Sequence, residues 1–226
     1  MYLSKVIPTI HFIHKLKRKF SGSLFWEHQM IWDLFDNTPE QTRDFLYRRE
    51  DTPGQLPFYY VVSARHPKCD GLGLDVQSKK YKPALQQGDH LQFNLRANAV
   101  VTRKVDGNSK RRLRRDIIEA KVDEYKQRYP NPKDLPRPSV IHHEAAQGWL
   151  HRQGQSNGFS VSEFFVENHS FNKVKKPSDP NTRQFTSLDF HGQLIVDDPT
   201  RFANVIKNGL GRSKAFGCGM LLLARV

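Results

Sequence analysis

A glycine-rich run near the end of the chain carries the residue types most suited to holding an anion. Residues 209–220 contain four glycines, with the cations Arg212 and Lys214 among them. Glycine permits positive φ angles and close backbone approach, so the N–H groups of such a loop can surround a phosphate. The run follows a helical pattern and enters an apolar strand, whereas nucleotide-binding glycine motifs lie between a strand and a helix. The pattern therefore predicts a site for a polyanion, and it does not match the glycine motifs that bind nucleotides.

The charge balance points to the same class of partner. The 226-residue chain has 36 Lys and Arg residues against 23 Asp and Glu, a formal net charge of +13. This balance favours nucleic acid or another anionic surface as the partner. No apolar stretch approaches the roughly 20 residues of a spanning helix, and the first residues lack the apolar region of a secretory signal. The two cysteines, Cys69 and Cys218, are typical of reduced thiols, so we expect a cytoplasmic protein with no membrane partner.

The acidic residues do not predict a metal-dependent nuclease. A two-metal site needs several carboxylates that converge on one point. Asp33 and Asp36 share one face of a helical pattern, which is typical of a solvated surface. Asp197 and Asp198 precede Pro199 and are better explained as a helix cap. We therefore predict neither a metal ion nor another cofactor.

Periodicity predicts strands and helices in alternation along the chain. The predicted strands are residues 2–7, 58–63, 91–102, 159–174, 185–196 and 221–226. The predicted helices are residues 25–35, a second that begins at the Asn37–Glu40 cap and ends near Arg49, 117–125, 143–152 and 199–208. A long hairpin tip over residues 173–183 joins two of the strands.

The order of these elements suits two copies of the β-α-β-β-α-β ferredoxin-like unit. We predict an α+β protein with tandem ferredoxin-like (RRM-type) domains. The first is expected over residues 1–89, and the second, which contains the glycine-rich loop, over residues 90–226. No internal sequence repeat supports the duplication, so it rests on element order alone.

Several segments together resemble the CasE family, the repeat-processing endoribonucleases of type I-E CRISPR systems. The similarity is carried by Met1–Val6, His28–Phe35, Arg43–Leu46, Phe93–Asn98 and Gly209–Leu223. The resemblance implies tandem ferredoxin-like domains and metal-independent cleavage of precursor CRISPR RNA within each repeat. It also implies two partners, the CRISPR RNA repeat stem-loop, which stays bound after cleavage, and the other subunits of the Cascade surveillance complex.

The resemblance selects His28 from ten histidines as the catalytic residue. In metal-free cleavage the 2′-OH attacks the adjacent phosphate and leaves a 2′,3′-cyclic phosphate and a 5′-OH. Imidazole suits the proton transfer because its unperturbed pKa is about 6.5, and such a group contributes about 10²–10⁴-fold. Acid and base roles both stay open. Without the resemblance, a structural histidine beside Trp26 and Trp32 is the simpler interpretation.

One position departs from the family pattern. Family members often have a tyrosine one turn before this histidine, and here that position is Phe25, whose ring cannot transfer a proton. Arg212, Ser213 or Lys214 can supply charge or a hydrogen bond if the glycine-rich loop faces His28, and plain phosphate binding is the equal alternative. Phe25 thus also admits a second function, that of a non-catalytic subunit that only caps the guide RNA stem-loop.

Phosphate contacts are expected to supply most of the affinity for RNA. The candidates lie in the basic block at 110–115, in the hairpin tip and in the glycine-rich loop. They are Lys110, Arg111, Arg112, Arg114, Arg115, Lys173, Lys175, Lys176, Arg183, Arg212, Ser213 and Lys214. The alternative for the basic block is a solvated face or an exposed loop that does not bind RNA. The alternative for the whole chain is a basic RNA- or DNA-binding protein of ribosomal or regulatory type. The strand aromatics Tyr59, Phe93 and Phe165 are expected in the core and not stacked on bases.

Overall fold

Two four-stranded antiparallel sheets form the framework of the protein. The computed structural model describes residues 1–10, 12, 24–36, 41–68, 72–105, 108–176, 179 and 181–226, with the side chains of residues 103–111 outside that description. The predictions on Cys69 and on the Asn37–Glu40 cap fall outside the described residues. No helix in the described part of the chain is long and apolar enough to cross a lipid bilayer.

The first sheet is built from the first third of the chain. Its strands are β1 (Tyr2–Pro8), β2 (Phe45–Glu50), β3 (Phe58–Ser63) and β4 (Leu74–Lys80), in the order β2-β3-β1-β4. Helix α1 (Leu24–Trp32) covers one face, where Met30 and Ile31 pack in one core with Val6 and Val61. The strands predicted at 2–7 and 58–63 are thus confirmed. Strand β4 escapes prediction because most of its residues are polar and only partly covered at the sheet edge.

Residues 45–50 form strand β2, so the prediction of a helix up to Arg49 is wrong. Each residue of β2 pairs with a residue of β3. Both faces of β2 are buried, with Phe45 and Tyr47 in the core under α1 and Leu46 in a cluster on the opposite face. Burial on both faces removes the alternation that marks a strand and leaves a short apolar run that fits a helix equally well. Pairing with β3 decides between the two.

The second sheet and its helices come from the rest of the chain. The remaining strands are β5 (His90–Ala97), β6 (Val100–Val105), β7 (Asn108–Asp116), β8 (Phe159–Lys175), β9 (Thr182–Val196) and β10 (Leu221–Arg225). The second sheet has the order β10-β5-β9-β8, and β6 and β7 form a separate hairpin. The helices are α2 (Ile117–Arg128), α3 (Pro138–Asn157) and α4 (Pro199–Asn208), with short 3₁₀ helices at Pro132–Asp134 and Lys214–Phe216. Trp149 of α3 stacks on Phe190 of β9 with 5.5 Å between ring centroids, which anchors the helices on the sheet.

Several predictions for this half are confirmed. The long pair of strands β8 and β9, the terminal strand β10 and helices α2, α3 and α4 all lie where the periodicity indicates them. Asp198 caps α4 as expected, because its carboxylate accepts hydrogen bonds from the N–H groups of Thr200 and Arg201 at 3.0 Å. Pro199 occupies the first turn of the helix, where its missing N–H costs nothing.

The strand predicted at residues 91–102 is interrupted at Asn98, so that prediction is wrong in its extent. Asn98 Nδ2 donates to the Thr186 carbonyl at 2.7 Å, and the Asn98 carbonyl accepts from the Arg212 N–H at 3.2 Å. These bonds end β5 and lead the chain into the β6–β7 hairpin. The basic block at 110–115 therefore lies on a strand, and α2 begins only after Asp116, whose carboxylate accepts from the Ile118 N–H.

The two sheets meet through a small apolar seam. Leu46 and Val62 of the first sheet share one buried cluster with Met220, at the end of the glycine-rich loop. Leu3 and Leu222 pack against this cluster from the two sheets. The seam holds the glycine-rich loop against the first sheet and brings it close to α1.

The glycine-rich loop folds back on itself through contacts that leave no room for a side chain. The N–H of Leu210 donates to the carbonyl of Gly219 at 2.9 Å. The φ angle is +71° at Gly209 and +91° at Gly219, and a Cβ on Gly209 would lie 2.7 Å from the Gly219 carbonyl oxygen. Both positions therefore require glycine.

We expect Gly209→Ala to lower the free energy of unfolding by about 3 kcal/mol. Backbone strain at positive φ accounts for about 1–2 kcal/mol, and the clash adds about 1–3 kcal/mol of overpacking. Gly54→Ala is the matched control, because its φ is +73° and its Cβ would meet nothing within 4 Å. Urea unfolding of both variants measures the difference. Equal losses would contradict the role assigned to the close contact.

Candidate active site

His28 stands on α1 in an aromatic environment at the junction of the two sheets. Its ring centroid lies 5.7 Å from that of Trp32, 6.3 Å from that of Phe45 and 6.0 Å from that of Phe216. Trp32 is one helical turn away on the same face, and Phe45 belongs to β2 beneath the helix. Phe216 comes from the glycine-rich loop, so residues distant in the chain enclose one half-buried imidazole.

The glycine-rich loop faces His28 through its 3₁₀ turn at Lys214–Phe216. Tyr47 of β2 is fully buried, and its hydroxyl donates to the Ala215 carbonyl at 3.1 Å. This bond ties the loop to the first sheet beside the histidine. The condition under which loop residues can assist His28 is therefore met by the geometry of this turn.

The surroundings of His28 lower the pKa of its imidazole. Burial is the largest cause, because a low-dielectric environment disfavours the charged ring. The cations Arg43 and Lys176 act in the same direction, and together these effects outweigh the Ala215 backbone, which favours protonation. The ring is thus neutral at neutral pH and able to accept a proton. No residue in the described part of the chain makes a hydrogen bond to its buried Nδ1.

Arg43 places a partly buried cation beside His28 that forms no ion pair with any carboxylate the structure describes. Its Nη1 atom is closed off from solvent, and among the described residues nothing hydrogen-bonds to it. Burial lowers the pKa of the guanidinium, which still stays charged because arginine does not deprotonate in proteins. A buried cation without an anion is costly. Such a cation marks a position where an anion is expected to bind, and analysis of the sequence alone did not select it.

Lys214 lies half-buried between the loop and the end of α4. Its ammonium donates to the Asn208 carbonyl at 2.7 Å and to the Gly209 carbonyl at 2.8 Å, which caps the C-terminus of that helix. Burial and the nearby Arg43 lower its pKa. Lys214 thus holds the loop in place and adds positive charge near Arg43.

Three of the predicted RNA-binding residues surround one open groove of about 340 Å³. Arg114 of β7 reaches it from one side, and Arg212 and Ser213 of the glycine-rich loop reach it from the other. Phe171 and Phe185 complete its wall, and the Phe171 side chain is 60% exposed. Exposed cations and an exposed ring at one place suit a nucleic-acid strand, because phosphates and bases need different partners.

The other residues of the basic block differ in their surroundings. Arg112 is exposed on β7, and Arg115 is half-buried in an ion pair with Asp123 of α2. Lys110 and Arg111 belong to β7 by their backbone, and their side chains are outside the description. Among the described residues, Arg112 and Arg114 form no ion pair, whereas Arg115 is committed to the fold.

The tip of the β8–β9 hairpin places one of its cations beside the groove, because the Lys173 ammonium lies 5.8 Å from the ring centroid of Phe171. Lys173 and Lys175 are exposed, and Arg183 pairs with Asp179 at 4.0 Å. Lys176 is the one that approaches the histidine, with its ammonium 5.9 Å from the ring centroid of Phe25. The tip thus contributes one cation to the surroundings of His28 and two to the outer surface.

The strand aromatics follow the prediction at two positions of three. Tyr59 and Phe93 are buried as expected. Phe165 is 60% exposed, so its expected place in the core is wrong, and it stacks on His191 with 5.2 Å between centroids. It belongs to β8, the edge strand of the second sheet, on the face turned away from the helices.

The acidic residues of α1 and its end are engaged in local contacts. Asp33 accepts a hydrogen bond from Gln29 at 3.0 Å, and Asp36 pairs with Lys68. In the part of the chain that the structure describes, no three His, Cys, Asp or Glu side chains are grouped closely enough to hold a metal ion.

Comparison with known proteins gives the chain its family. The model of the family described as "CRISPR associated protein" matches residues 1–225. The chain belongs to this CRISPR-associated family. It is 30% identical over 227 residues to the CRISPR system Cascade subunit CasE of Escherichia coli K12, with 99% of each chain covered. The resemblance to the CasE proteins is thereby confirmed.

Relatives from Thermus thermophilus are similar to this chain in both sequence and structure. The CRISPR-associated endoribonuclease Cse3 is 22% identical over 240 residues, covering 99% of this chain and 100% of the relative. A structure of Thermus thermophilus Cse3 bound to an RNA that represents a pre-cleavage complex superimposes with a TM-score of 0.70 at 22% identity, over 99% of this chain and 98% of the other. The predicted α+β fold with tandem ferredoxin-like domains is confirmed.

We expect an NMR titration to give His28 a pKa below the value of about 6.5 for an unperturbed histidine. Arg43→Gln should raise this pKa, because it removes a positive charge that disfavours the imidazolium. His28→Ala assigns the resonance, and Arg112→Gln, which removes an exposed cation on the β6–β7 hairpin, is the matched control and should leave the pKa unchanged. If the His28 pKa is the same with and without Arg43, the electrostatic account of this site is wrong.

Proposed function

We propose that this protein is a metal-independent endoribonuclease that cuts precursor CRISPR RNA within its repeats. In this proposal the substrate's 2′-OH attacks the adjacent phosphate, the products carry a 2′,3′-cyclic phosphate and a 5′-OH, and the protein stays on the 3′ stem-loop as a Cascade subunit. The names of its relatives support this: the Escherichia coli protein is a Cascade subunit, and the Thermus thermophilus protein is an endoribonuclease. The cytoplasm, where such RNA is transcribed, is its proposed location.

The observation that carries the proposal is that His28, with its lowered pKa, lies beside Arg43, whose Nη1 has no hydrogen-bond partner among the described residues. A histidine with a lowered pKa can take the proton from the 2′-OH at neutral pH, and the departing 5′-oxygen takes up a proton from water to become the 5′-OH. Arg43 meets the negative charge that grows on the phosphorane, in a site where burial strengthens the interaction. Lys214 adds charge from the loop side. Phe25 cannot take part in proton transfer, so His28 and Arg43 carry the chemical step in this proposal.

RNA is held, in the same proposal, by the exposed cations around the groove and the hairpin tip. The groove contributes Arg114, Arg212 and Ser213. Arg112, Lys110, Arg111, Lys173, Lys175, Lys176 and Arg183 extend the basic surface on either side. Arg115 is left out of the proposed surface because it already pairs with Asp123. The boundary between the two proposed domains lies near residue 89, between β4 and β5.

A second candidate function is a non-catalytic subunit that only caps the guide RNA stem-loop. The observation that favours it is Phe25, which removes the hydroxyl that family members often carry one turn before the histidine. The two functions make opposite predictions for cleavage and the same prediction for binding.

We expect purified protein to cleave CRISPR repeat RNA in excess EDTA and to leave RNA with a 2′-deoxy nucleotide at the cut site intact. His28→Ala should lower the single-turnover rate by about 10²–10⁴-fold, because it removes the proton-transfer group. Arg43→Gln should lower it by about 10²–10³-fold, because it removes charge stabilisation of the transition state. Stem-loop binding by His28→Ala should equal that of the parent.

Two controls separate the candidates. Lys207→Gln removes an exposed cation of α4 that makes no described contact with the residues around His28, and it should leave the cleavage rate unchanged. Tight stem-loop binding with no cleavage by the parent protein would reject the enzyme and favour the capping subunit. Binding that does not distinguish the repeat stem-loop from other RNA of equal length would reject both.

We expect the double variant Arg112→Gln/Arg114→Gln to weaken stem-loop binding and its salt dependence. Each lost phosphate contact should reduce the slope of log K against log[salt] by about 0.7–0.9. Arg115→Gln is the matched control on the same strand and should keep the parental slope, because its guanidinium pairs with Asp123. A double variant with the parental slope would exclude these arginines from the RNA interface.

A further inference from the structure

A small cavity of about 190 Å³ lies beside the candidate active site, between α1 and the second sheet. It is bounded by α1 on one side, by β8 and β9 on the other, and by the glycine-rich loop at one end. Its lining includes Leu24, Glu27, Asn172, Phe185, Ser187 and Phe216. None of the functions derived above uses this space.

The cavity adjoins His28 directly. Leu24 precedes the histidine by one helical turn on the same face of α1, and Glu27 is its neighbour in the chain. Phe216 lines the cavity, and its ring centroid is also 6.0 Å from that of His28. A group that occupies the cavity would therefore lie next to an RNA phosphate placed at His28 and Arg43.

The cavity has the size and walls of a site for one aromatic ring system. It is smaller than the roughly 300–1,000 Å³ that drug-sized ligands need. Phe185 and Phe216 form one wall, stacked with 5.9 Å between their centroids and 21° between their planes. Asn172 lies directly opposite Phe185 in the β8–β9 ladder, and Ser170 lies opposite Ser187 in the same way. An aromatic wall facing amide and hydroxyl groups suits a nucleobase.

The charges at the cavity argue for a base and against a phosphate. Its two arginines are both committed, Arg49 to the carboxylates of Glu27 and Asp51, and Arg96 to Asp189. Beside His28, by contrast, Arg43 forms no ion pair with any described residue. The cluster at His28 is thus built for an anion, and the adjoining cavity for a polar, uncharged group.

Asn172 offers this group a free acceptor. Its Nδ2 donates to the Ser170 carbonyl at 3.2 Å and to Ser187 Oγ at 3.0 Å. Because the carbonyl can only accept, the nitrogen of the amide must face it, which settles the orientation of the side chain. Within the described part of the chain, nothing donates to Oδ1 of Asn172. This oxygen can accept an N–H from the edge of a base.

We propose that the cavity receives an unpaired nucleobase of an RNA nucleotide that adjoins the scissile phosphate. The base packs on the wall formed by Phe185 and Phe216, and an N–H of its edge donates to Asn172 Oδ1. Holding this nucleotide fixes the position of the phosphate relative to His28, so Asn172 is a positioning and specificity residue. The inference rests on the proposed endoribonuclease function and adds to it a site for one base.

The test uses four repeat RNAs, each with a single abasic nucleotide at one of the two positions on either side of the mapped cut. Their single-turnover cleavage is measured in EDTA. We expect one of these RNAs to be cut about tenfold more slowly by the parent protein, the usual weight of a stacked base. Asn172→Ala should slow cleavage of the intact RNA by about three- to tenfold and should slow that one abasic RNA no further. Phe185→Leu, which keeps an apolar side chain, should behave in the same way.

The control is Asn204→Ala, an exposed asparagine of α4 that hydrogen-bonds within its own helix. It should leave both rates at the parental value. The site is disproved if all four abasic RNAs are cut at the parental rate, or if the effects of Asn172→Ala and the abasic position simply multiply, because either result means that no base contacts this wall. In both of those outcomes the endoribonuclease itself stands. Failure of the parent protein to cut intact repeat RNA rejects the proposed function and the site with it.

Discussion

The hydrogen bond from the Tyr47 hydroxyl to the Ala215 carbonyl joins the two halves of the molecule at the point where chemistry is proposed. The Tyr47 side chain is fully buried, and a buried donor or acceptor without its partner costs about 1–3 kcal/mol. The apolar seam around Leu46 and Met220 stabilises the same junction. Together they bring a loop from the end of the chain against a helix near its beginning. The arrangement around His28 depends on this junction, because Phe216 and Ala215 belong to the loop.

Electrostatics divides the space around α1 into two regions of different character. On the side of Arg43, Lys176 and Lys214, burial together with Arg43 and Lys176 lowers the pKa of His28, and burial together with Arg43 lowers the pKa of Lys214. On the side of Glu27, burial raises the pKa of the carboxyl group in spite of the neighbouring Arg49, and the ion pair leaves little net charge. An RNA nucleotide likewise has a charged part, its phosphate, and an uncharged part, its base. The proposed function and the proposed base site together match each part to one region.

The cluster at His28 shows why a functional site can oppose stability. A guanidinium with a solvent-inaccessible Nη1 and no partner among the described residues is unfavourable in the free protein. The glycine-rich loop beside His28 also needs glycine at positions where any other residue is strained, as at Gly209 and Gly219. Ordered charge and a restricted backbone are the preorganisation that electrostatic stabilisation of a transition state requires.

Local pattern was sufficient for the elements with one buried face or a clear cap, such as β1, the β8–β9 pair and α4 behind Asp198. It failed for β2, which is buried on both faces and loses its alternation, and for the end of β5, where the bonds of Asn98 to Thr186 and Arg212 turn the chain. The sequence by itself determined the composition of the site: a basic chain, a glycine-rich loop and a histidine chosen by family resemblance. Only the tertiary structure decided that Arg43 lies beside that histidine with no ion pair to a described residue, that Arg115 is committed to Asp123, and that a small cavity adjoins the site. The reason is physical, because partners and burial depend on contacts between residues far apart in the chain, which no local period encodes.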